Sequence, residues 1–384
     1  MTATAGASEE TGRMASREKR GRRPALKGLI LSGGKGSRLR PFTYTGAKQL
    51  IPVANKSILF YAIEQLVECG ITDIGVVVGD TADQVMAAVG EGSAFGARIE
   101  YIQQDAPLGI AHAIKVARPY LTDSPFVLYL GDNFVLGGIK SFVDKFLAKR
   151  INCQILLHPV KNPEAFGVAQ FVDGRVAHII EKPTSPPTNL AVIGVYMFDR
   201  HVFEVIDRLQ PSRRGELEIS DALQGLIDRD LKVHAEVLDR YWIDTGKMDD
   251  ILEANRMILQ TLPPRMDGDI DERSRTYEPI ILEKGSQVVN SVLRGPLIIG
   301  SETEIADSYV GPYTSVNHNC RIKGCRIENS VVMEHTVIED IHWPIERSLI
   351  GRFVELRGGQ AVGASYSVTL GDNSRIEMPE GHVP

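Results

Sequence analysis

Leu26-Lys27-Gly28-Leu29-Ile30-Leu31 is a largely apolar stretch that continues directly into Ser32-Gly33-Gly34-Lys35-Gly36-Ser37. The apolar residues predict a buried β-strand, because short runs of this kind bounded by turn residues pack inside a sheet. The three glycines predict a turn whose backbone can approach another group closely, since glycine has no Cβ. We therefore expect an α/β domain to begin at Leu26.

The residues that follow alternate between strand and helix patterns. Strands are predicted at 74–78, 99–103, 126–130, 155–158, 168–171 and 192–198, and helices at 58–69, 83–89, 110–117 and 251–262. Strands that alternate with helices indicate a Rossmann-like, mostly parallel sheet with helices on both faces. Pro263-Pro264 marks the end of this domain, which we place at 26–264.

A different pattern follows a predicted linker at 265–280. Aliphatic residues recur about every six positions, which is the length of one edge of a triangular coil: Val292, Ile298, Ile305, Val310, Val316, Ile322, Ile327, Val332 and Ile338. The period predicts a left-handed parallel β-helix over 281–384, built from hexapeptide repeats. Spacings of five and the segment His342-Trp343-Pro344 interrupt it, so an irregular all-β domain is the alternative.

Composition excludes several classes of protein. The 384 residues carry a net charge of −6, which argues against a nucleic-acid-binding protein. No apolar run approaches the roughly 20 residues of a membrane span, and the first 26 residues lack a signal-peptide core. Residues 1–25 form a basic, polar tail that we expect to be disordered. Four scattered cysteines fit a reducing compartment, so we expect a cytoplasmic protein.

The glycine turn is typical of a phosphate-binding loop, because its N–H groups can donate to phosphate oxygens. Arg38 adds a forked cation close by. Two common loops are excluded: a Rossmann fingerprint needs glycine where Leu39 stands, and a Walker A loop needs Ser or Thr where Gly36 follows Lys35.

The longer block closely resembles the signature of the sugar-1-phosphate nucleotidyltransferases. It reads Leu-Ser-Gly-Gly-Lys-Gly-Ser-Arg-Leu-Arg-Pro from 31 to 41, Lys-Gln-Leu-Ile-Pro-Val from 48 to 53 and Lys-Ser-Ile-Leu-Phe-Tyr from 56 to 61. Within that family the chain is most similar to long-type glucose-1-phosphate thymidylyltransferases with a C-terminal β-helix. The resemblance implies an Mg²⁺-dependent reaction of dTTP with glucose 1-phosphate that yields dTDP-glucose and pyrophosphate, in deoxysugar biosynthesis.

The resemblance also implies roles for individual residues in binding the metal and the phosphates. Asp132, which ends an apolar strand, and Asp244 match the metal-binding carboxylates, and a hard ion such as Mg²⁺ prefers oxygen ligands. Arg38 and Lys48 match the cations on the triphosphate, and Lys182 matches the lysine that holds the sugar phosphate. Arg214 is a further phosphate contact.

The remaining implied residues contact the nucleotide and the sugar. Leu31, Gly33, Gly34, Gln104 and Gly109 bind the nucleotide, with Gln104 as the base reader and Gln103 as its adjacent competitor. A glutamine amide can accept the N3–H and donate to a carbonyl of thymine or uracil. On the sugar side, Glu181 accepts from hydroxyl groups, and three further residues line the pocket: Gly167, Val192 and Tyr196.

Several alternatives stay open at this point. The same chemistry with UTP is one, because Gln104 would read uracil similarly. An acyltransferase in the β-helix, using His318 or His335, is another, and a non-catalytic regulatory subunit is a third. Cys320 and Cys325 with His318 raise a zinc site, for which their spacing is poor. The flat faces of a β-helix favour homo-oligomerisation.

Overall fold

The protein was examined as a computed structural model that describes residues 25–34, 36–358, 368–372 and 374–377. The expectation for the N-terminal tail falls on residues outside this part. The first domain contains the strands β1 (Lys27–Leu31), β2 (Pro52–Val53), β3 (Lys56–Ser57), β4 (Asp73–Val78), β5 (Arg98–Gln103), β6 (Phe126–Leu130), β7 (Asn133–Val135), β8 (Cys153–Pro159), β9 (Gly167–Val172), β10 (Arg175–Glu181), β11 (Leu190–Phe198), β12 (Val233–Val237) and β13 (Trp242–Asp244).

Helices cover this sheet and carry much of its buried apolar surface. They are α1 (Ile58–Glu68), α2 (Ala82–Val89), α3 (Ile110–Val116), α4 (Arg118–Leu121), α5 (Lys140–Lys149), α6 (His201–Ile206), α7 (Ile219–Ile227) and α8 (Met248–Leu259). Short 3-10 turns lie at Ser37–Leu39, Phe42–Tyr44, Lys48–Leu50, Ser93–Phe95 and Pro163–Ala165. The predicted helix at 251–262 therefore begins and ends three residues earlier.

The central sheet runs in the order β10-β9-β11-β6-β1-β4-β5, β8 joins it through β11, and β12 pairs with β8. Its row β5-β4-β1-β6 is parallel, with Leu29 of β1 opposite Gly75 and Leu128. This row confirms the prediction of a Rossmann-like, mostly parallel sheet. The strand β11 runs antiparallel to β6, β8 and β9 and extends the sheet on one side. The carboxyl ends of β1 and β6 meet at one edge, where such sheets bind ligands.

The second domain is a three-sided stack of short parallel strands. Its strands are β14 (Arg265–Met266), β15 (Asp269–Ile270), β16 (Arg275–Tyr277), β17 (Ile280–Leu282), β18 (Gln287–Val289), β19 (Val292–Arg294), β20 (Leu297–Ile299), β21 (Glu304–Ala306), β22 (Tyr309–Val310), β23 (Thr314–Val316), β24 (Arg321–Lys323), β25 (Arg326–Glu328), β26 (Val331–Val332), β27 (Val337–Glu339), β28 (Ile345–Glu346), β29 (Leu349–Ile350), β30 (Glu355–Arg357), β31 (Thr369–Leu370) and β32 (Arg375–Glu377).

As far as β30, every third strand of this stack belongs to the same sheet, and β31 and β32 continue the sheets of β29 and β30. The sheets have seven, seven and five strands in the part of the chain that the structure describes. All their strand pairs are parallel, which confirms the β-helix prediction. The irregular all-β alternative is wrong. Residues at the corners, such as Asn290, Asp307 and Asn329, adopt positive φ angles that turn the chain between faces.

Two details of the repeat differ from the sequence prediction. The side chains that fill the core in the first coils are those of Leu293 and Ile299, each one residue later than the predicted Val292 and Ile298. Ile298 instead faces the first domain. Alternation of side chains along a strand sends adjacent residues to opposite faces, so a shift of one residue exchanges inside for outside.

The linker prediction for 265–280 is wrong. β14, β15 and β16 pair in parallel with β17, β18 and β19, so this segment is the first coil of the β-helix. It was not recognised because it lacks the aliphatic period. As the end coil it has a neighbour on one side only, and Arg265, Met266 and Tyr277 remain exposed.

One face of the β-helix packs against the first domain beside the glycine turn. Its Ile298, Val331 and Leu349 join Phe42 and Ile251 in a shared apolar cluster. The segment 41–55, which includes Lys48, therefore packs against the β-helix. The buried cysteines Cys320 and Cys325 lie inside the β-helix core, and the described residues contain no cluster suited to zinc.

A buried asparagine joins the two domains by hydrogen bonds. Asn255 of α8 accepts from the N–H of Ala54 at 2.8 Å and from the hydroxyl of Ser315 at 2.6 Å. Its amide donates to the carbonyl of Tyr313 at 2.9 Å. All three partners are fixed in loops or strand ends, so Asn255 sets the position of the β-helix relative to the segment before α1.

Candidate functional site

Two adjoining cavities open at the carboxyl edge of the parallel strands. The first, of about 260 Å³, is lined by Leu31, Gly33, Gly34, Lys48, Gln49, Gln104, Pro107, Gly109, Ile110, Ala113, Leu130, Asp132 and Glu216. The second, of about 230 Å³, is lined by Ile110, Leu130, Asn133, Ala165, Phe166, Gly167, Glu181, Lys182, Val192, Gly194, Tyr196, Arg214, Glu216, Glu218, Ile219, Trp242 and Asp244. Ile110, Leu130 and Glu216 belong to both, so the cavities share a wall.

The division matches the two sets of residues singled out in the sequence. Every residue predicted to bind the sugar phosphate lines the second cavity. The residues predicted to bind the nucleotide line the first cavity, except Arg38, which lines neither. The two predicted metal ligands fall one in each, with Asp132 in the first cavity and Asp244 in the second. A group bound in one cavity is thereby next to a group bound in the other.

Lys48 crosses the glycine turn to reach Asp132. A Cβ on Gly34 would lie 3.0 Å from Cε of Lys48, so the absence of a side chain there leaves room for the lysine. The Lys48 ammonium donates to Oδ2 of Asp132, and both side chains are mostly buried. The turn, the cation and the carboxylate thus form one unit at the ends of β1 and β6.

Asp132 and Asp244 are brought together by the pairing of β7 with β13. This antiparallel pair places Asn133 opposite Asp244, and the N–H of Thr245 donates to the Asp132 carbonyl at 3.0 Å. The two carboxylates come from positions 112 residues apart in the chain, and only the tertiary structure makes them neighbours.

The two carboxylates have opposite pKa shifts. Burial tends to raise the pKa of Asp132, but the charge and hydrogen bond of Lys48 outweigh it, and the net pKa lies below the usual range. Burial raises the pKa of Asp244 to about 7, and the negative charge of Asp132 adds to the shift. The positive charges of Lys48 and Arg38 oppose that shift in the pKa of Asp244 without cancelling it. An unpaired carboxylate close to a second one is unfavourable unless a cation joins them.

The site fits a divalent cation in its donor set. Oδ1 of Asp244 is buried without a hydrogen-bond partner among the described residues, which is uncommon for a charged oxygen. A hard cation between the carboxylates of Asp132 and Asp244 would satisfy that oxygen and lower the pKa of Asp244. These two residues are the ones that could hold a metal.

Arg38 lies at the entrance beside these carboxylates. It belongs to the short turn after the glycines and is exposed, and its guanidinium Nη2 is 2.7 Å from the point where a Cβ on Gly246 would lie. Gly246 follows Asp244 by two residues. An exposed guanidinium next to the carboxylates is well placed to meet phosphate oxygens at the open side of the first cavity.

Gln104, rather than Gln103, faces the first cavity. Gln103 is the last residue of β5 and is exposed, whereas Gln104 is 9% exposed and its side chain lies in the cavity wall. Its backbone N–H donates to the Val78 carbonyl at 2.9 Å, which continues the pairing of β5 with β4. The choice of Gln104 from the sequence agrees with this placement.

Glu181 is the centre of the polar side of the second cavity. It accepts from the hydroxyl of Ser220 and lies 3.3 Å from the Arg214 guanidinium and 3.4 Å from the Lys182 ammonium. A Cβ on Gly167 would lie 3.2 Å from both Oε2 of Glu181 and Oγ of Ser220. The missing side chain at Gly167 therefore leaves room for the contact between the carboxylate and the hydroxyl.

Arg214 contacts carboxylates in this structure. Its guanidinium pairs with Glu218 at 2.7 Å, Glu181 at 3.3 Å and Glu216 at 3.5 Å. The sequence predicted a phosphate contact for this arginine. Its guanidinium is surrounded by three acidic groups here, one of which is Glu181, and the phosphate contact stays a prediction.

Several residues of the site had not been singled out in the sequence. Trp242 lines the second cavity, and its indole N–H donates to Oδ1 of Asn133 at 2.6 Å. Asn133 in turn donates to Asp132 at 3.0 Å, so it orients that carboxylate. Trp242 and Asn133 stand in the same motifs as the two aspartates, and that adjacency was the available signal. Ser220, at the start of α7, gave no signal.

Comparison with known proteins follows the same division of the chain. Residues 27–261 match the family Nucleotidyl transferase, which covers the whole sheet domain and α8. The chain belongs to this family. The predicted family resemblance is confirmed.

Relatives of this nucleotidyl transferase extend over the β-helix as well. The glucose-1-phosphate thymidylyltransferase of Streptomyces griseus is 45% identical over 354 residues, which are 92% of this chain and 99% of the relative. The enzyme of the same name from Streptomyces antibioticus is 46% identical over 355 residues, again 92% and 99%. The low-salt glycan biosynthesis nucleotidyltransferase Agl11 of Haloferax volcanii is 42% identical over 358 residues, with 92% and 100% covered.

A solved structure shares the fold of the first domain. It is a crystal structure of a Bacillus anthracis protein assigned as a glucose-1-phosphate thymidylyltransferase and solved in complex with sucrose. The TM-score is 0.59 at 34% sequence identity, and the match covers 63% of this chain and 98% of the other. None of the described helices of the nucleotidyl transferase has the length and apolar character of a bilayer-spanning segment.

Proposed function

We propose that this nucleotidyl transferase transfers a thymidylyl group from dTTP to glucose 1-phosphate and releases pyrophosphate. The observation that carries the proposal is the shared wall of the two cavities, the first lined by the glycine turn, Lys48 and Gln104 and the second by Glu181 and Lys182. The near full-length similarity to the two Streptomyces thymidylyltransferases supports this choice of substrates.

In the proposed reaction a phosphate oxygen of glucose 1-phosphate attacks the α-phosphorus of dTTP. The bond between that phosphorus and the bridging oxygen breaks, and pyrophosphate leaves in line with the attack. The nucleophile belongs to the substrate, so the protein positions the reactants and neutralises charge. Lys48 and Arg38 face the triphosphate, and Lys182 holds the sugar phosphate against it.

A divalent ion, which we take to be Mg²⁺, would supply further neutralisation of the triphosphate. Asp132 and Asp244 would hold it, since these two carboxylates are adjacent and one has a buried oxygen without a partner. The Lys48 ammonium donates to Oδ2 of Asp132. A bound cation would compensate the charge of Asp132, and the Lys48 ammonium would then be available to phosphate oxygens.

The sugar is recognised by the Glu181 carboxylate and by the walls of the second cavity. Ser220 and Arg214 hold Glu181 so that its oxygens face the cavity, where vicinal hydroxyls can donate to them. Val192 and Tyr196 are almost fully buried and form the apolar floor under the sugar ring. Gly167 brings its backbone close to the same carboxylate.

The test is pyrophosphate release by the purified full-length chain with Mg²⁺ and glucose 1-phosphate. Each of dTTP, UTP, CTP, ATP and GTP is supplied in turn, and an EDTA control removes the metal. A preference for dTTP supports the proposal. A preference for UTP keeps the mechanism and changes the product, and no release with any nucleotide contradicts the reaction with this sugar phosphate.

A matched pair of variants tests the site rather than the substrate. Asp132→Asn should reduce kcat by at least about 100-fold in a variant that still folds, because the metal loses a charged ligand. Asp123→Asn, on the exposed turn after α4, is the control and should keep wild-type rates. If Asp132→Asn turns over at the wild-type rate at saturating Mg²⁺, the assignment of Asp132 as a metal ligand is wrong.

Other parts of the sequence interpretation stay predictions. Homo-oligomerisation through the β-helix and a cytoplasmic location are two of them. The acyltransferase alternative rests on His318 and His335, whose rings contact each other at 5.5 Å. His335 also stacks on the exposed ring of Phe353 at 4.9 Å. Both histidine rings are therefore engaged in ring contacts on the outside of the β-helix.

A further inference from the structure

The side-chain amide of Gln104 is held in one orientation. Its Nε2 lies 3.4 Å from the carbonyl oxygen of Gly109 and 2.9 Å from Nδ1 of His112. A carbonyl oxygen can only accept, so the amide group that faces it must be the donor. The amide oxygen then points the other way, toward the glycine turn, where a Cβ on Gly33 would lie 3.5 Å from it.

We propose that His112 selects the base by holding this amide. Nδ1 of His112 accepts a hydrogen bond from Nε2 of Gln104. The amide oxygen of Gln104 is thereby directed into the first cavity. An oxygen at that position accepts from the N3–H of thymine or uracil and repels the N3 lone pair of cytosine. This inference rests on the proposed function, and His112 acts as a positioning residue that need not touch the base.

The surroundings of His112 favour the neutral ring that this role requires. His112 lies on α3 and is half-buried, and burial together with the neighbouring Lys115 lowers its pKa below the usual value. Asp105, on the loop after β5, opposes that shift. A neutral ring with its proton on Nε2 leaves Nδ1 free to accept. A protonated ring would donate from Nδ1 and would turn the Gln104 amide around.

The experiment compares two variants of His112, so that loss of its hydrogen-bond acceptor can be told apart from loss of its packing. His112→Asn keeps an acceptor oxygen near the position of Nδ1, and His112→Leu removes the acceptor while it retains apolar volume. Dissociation constants of dUTP and dCTP are measured by calorimetry on the full chain with Mg²⁺ and without sugar phosphate. These two nucleotides differ only at position 4 and at the N3 proton, so their ratio isolates the amide contact.

We expect the ratio of the dCTP to the dUTP dissociation constant to fall about tenfold in His112→Leu, the size of one lost polar contact. In His112→Asn it should stay within about twofold of wild type. An unchanged ratio in His112→Leu overturns the proposal, and so does an equal fall in both variants, which would show a packing effect.

Gln104→Leu separates this inference from the proposed function. If the ratio falls in Gln104→Leu and not in His112→Leu, Gln104 reads the base without help from His112, and only the inference fails. If the ratio is unaffected in Gln104→Leu as well, the base-reading part of the proposed function is itself wrong. A fall in both Leu variants, with retention in His112→Asn, supports the two together.

Discussion

Replacement of Asp244 by asparagine should stabilise the metal-free protein while it removes activity. Asp244 is buried beside a second carboxylate, and its pKa is raised from its ordinary 3.8 to about 7. The folded state therefore holds the proton more tightly than the unfolded state does. The contribution of Asp244 to the free energy of unfolding is fully present below pH 4, and it is lost as the pH rises toward and past 7.

The size of the effect follows from the shift in pKa. A difference of roughly three pH units corresponds to about 4 kcal/mol of unfavourable free energy at pH 8 and about 2 kcal/mol at pH 5. A neutral asparagine avoids this cost. For a chain of this length the entropy of unfolding is on the order of 0.8 kcal/mol per degree, so the gain in melting temperature is roughly 5 °C at pH 8 and roughly 2 °C at pH 5.

The measurement is thermal unfolding of wild type and Asp244→Asn in EDTA at both pH values. Asp144→Asn serves as the control, because Asp144 is exposed in an i, i+4 pair with Lys140 on α5 and should shift the melting temperature by less than about 1 °C. Added Mg²⁺ should then stabilise wild type more than Asp244→Asn. A loss of stability in Asp244→Asn at both pH values, or a gain that does not depend on pH, would refute the reasoning.

Three further substitutions test the sugar cavity and the contact between the domains. Glu181→Gln should raise KM for glucose 1-phosphate about tenfold and leave KM for dTTP unchanged, since the amide accepts from hydroxyls more weakly; equal KM values would contradict its role. Gly167→Ala should have a similar effect, because the new methyl displaces the same carboxylate. Asn255→Ala should lower the free energy of urea unfolding by about 1–3 kcal/mol, because it leaves buried polar groups of both domains unpaired. Gln260→Ala, on the exposed end of the same contact, should change it by less than about 0.5 kcal/mol.

Much of the fold could be predicted because its signals are local. The strand β6 falls at the predicted residues, and β4, β5 and α1 are within one residue of their predicted bounds. β4 and β6 are apolar runs followed by glycine, β5 alternates apolar and polar residues, and α1 has a helical apolar period that ends before Gly70. α5 and β12 were not predicted, since their apolar residues are few and their burial depends on neighbours distant in the chain. α7 was also not predicted, although its apolar residues fall at helical spacing.

The outermost coil of the β-helix was missed for a related reason. Its three strands have the right length and register, but they cover one end of the core and need fewer aliphatic residues. The one-residue error at Val292 and Ile298 has another cause. In that part of the chain aliphatic residues stand side by side, so the sequence does not show which of each pair points inward.

The sequence by itself determined the family, the two kinds of domain and the identity of several residues that line each cavity. It could do so because those residues lie in compact motifs directly after strands, where an α/β sheet places its ligands. Only the tertiary structure decided which of them act on one another. The Lys48 ammonium on Asp132, the raised pKa of Asp244, the enclosure of Arg214 by carboxylates and the hold of His112 on Gln104 all depend on distances and burial. Electrostatic and hydrogen-bond interactions fall off over a few ångströms, and such separations are set by the packing of the whole chain.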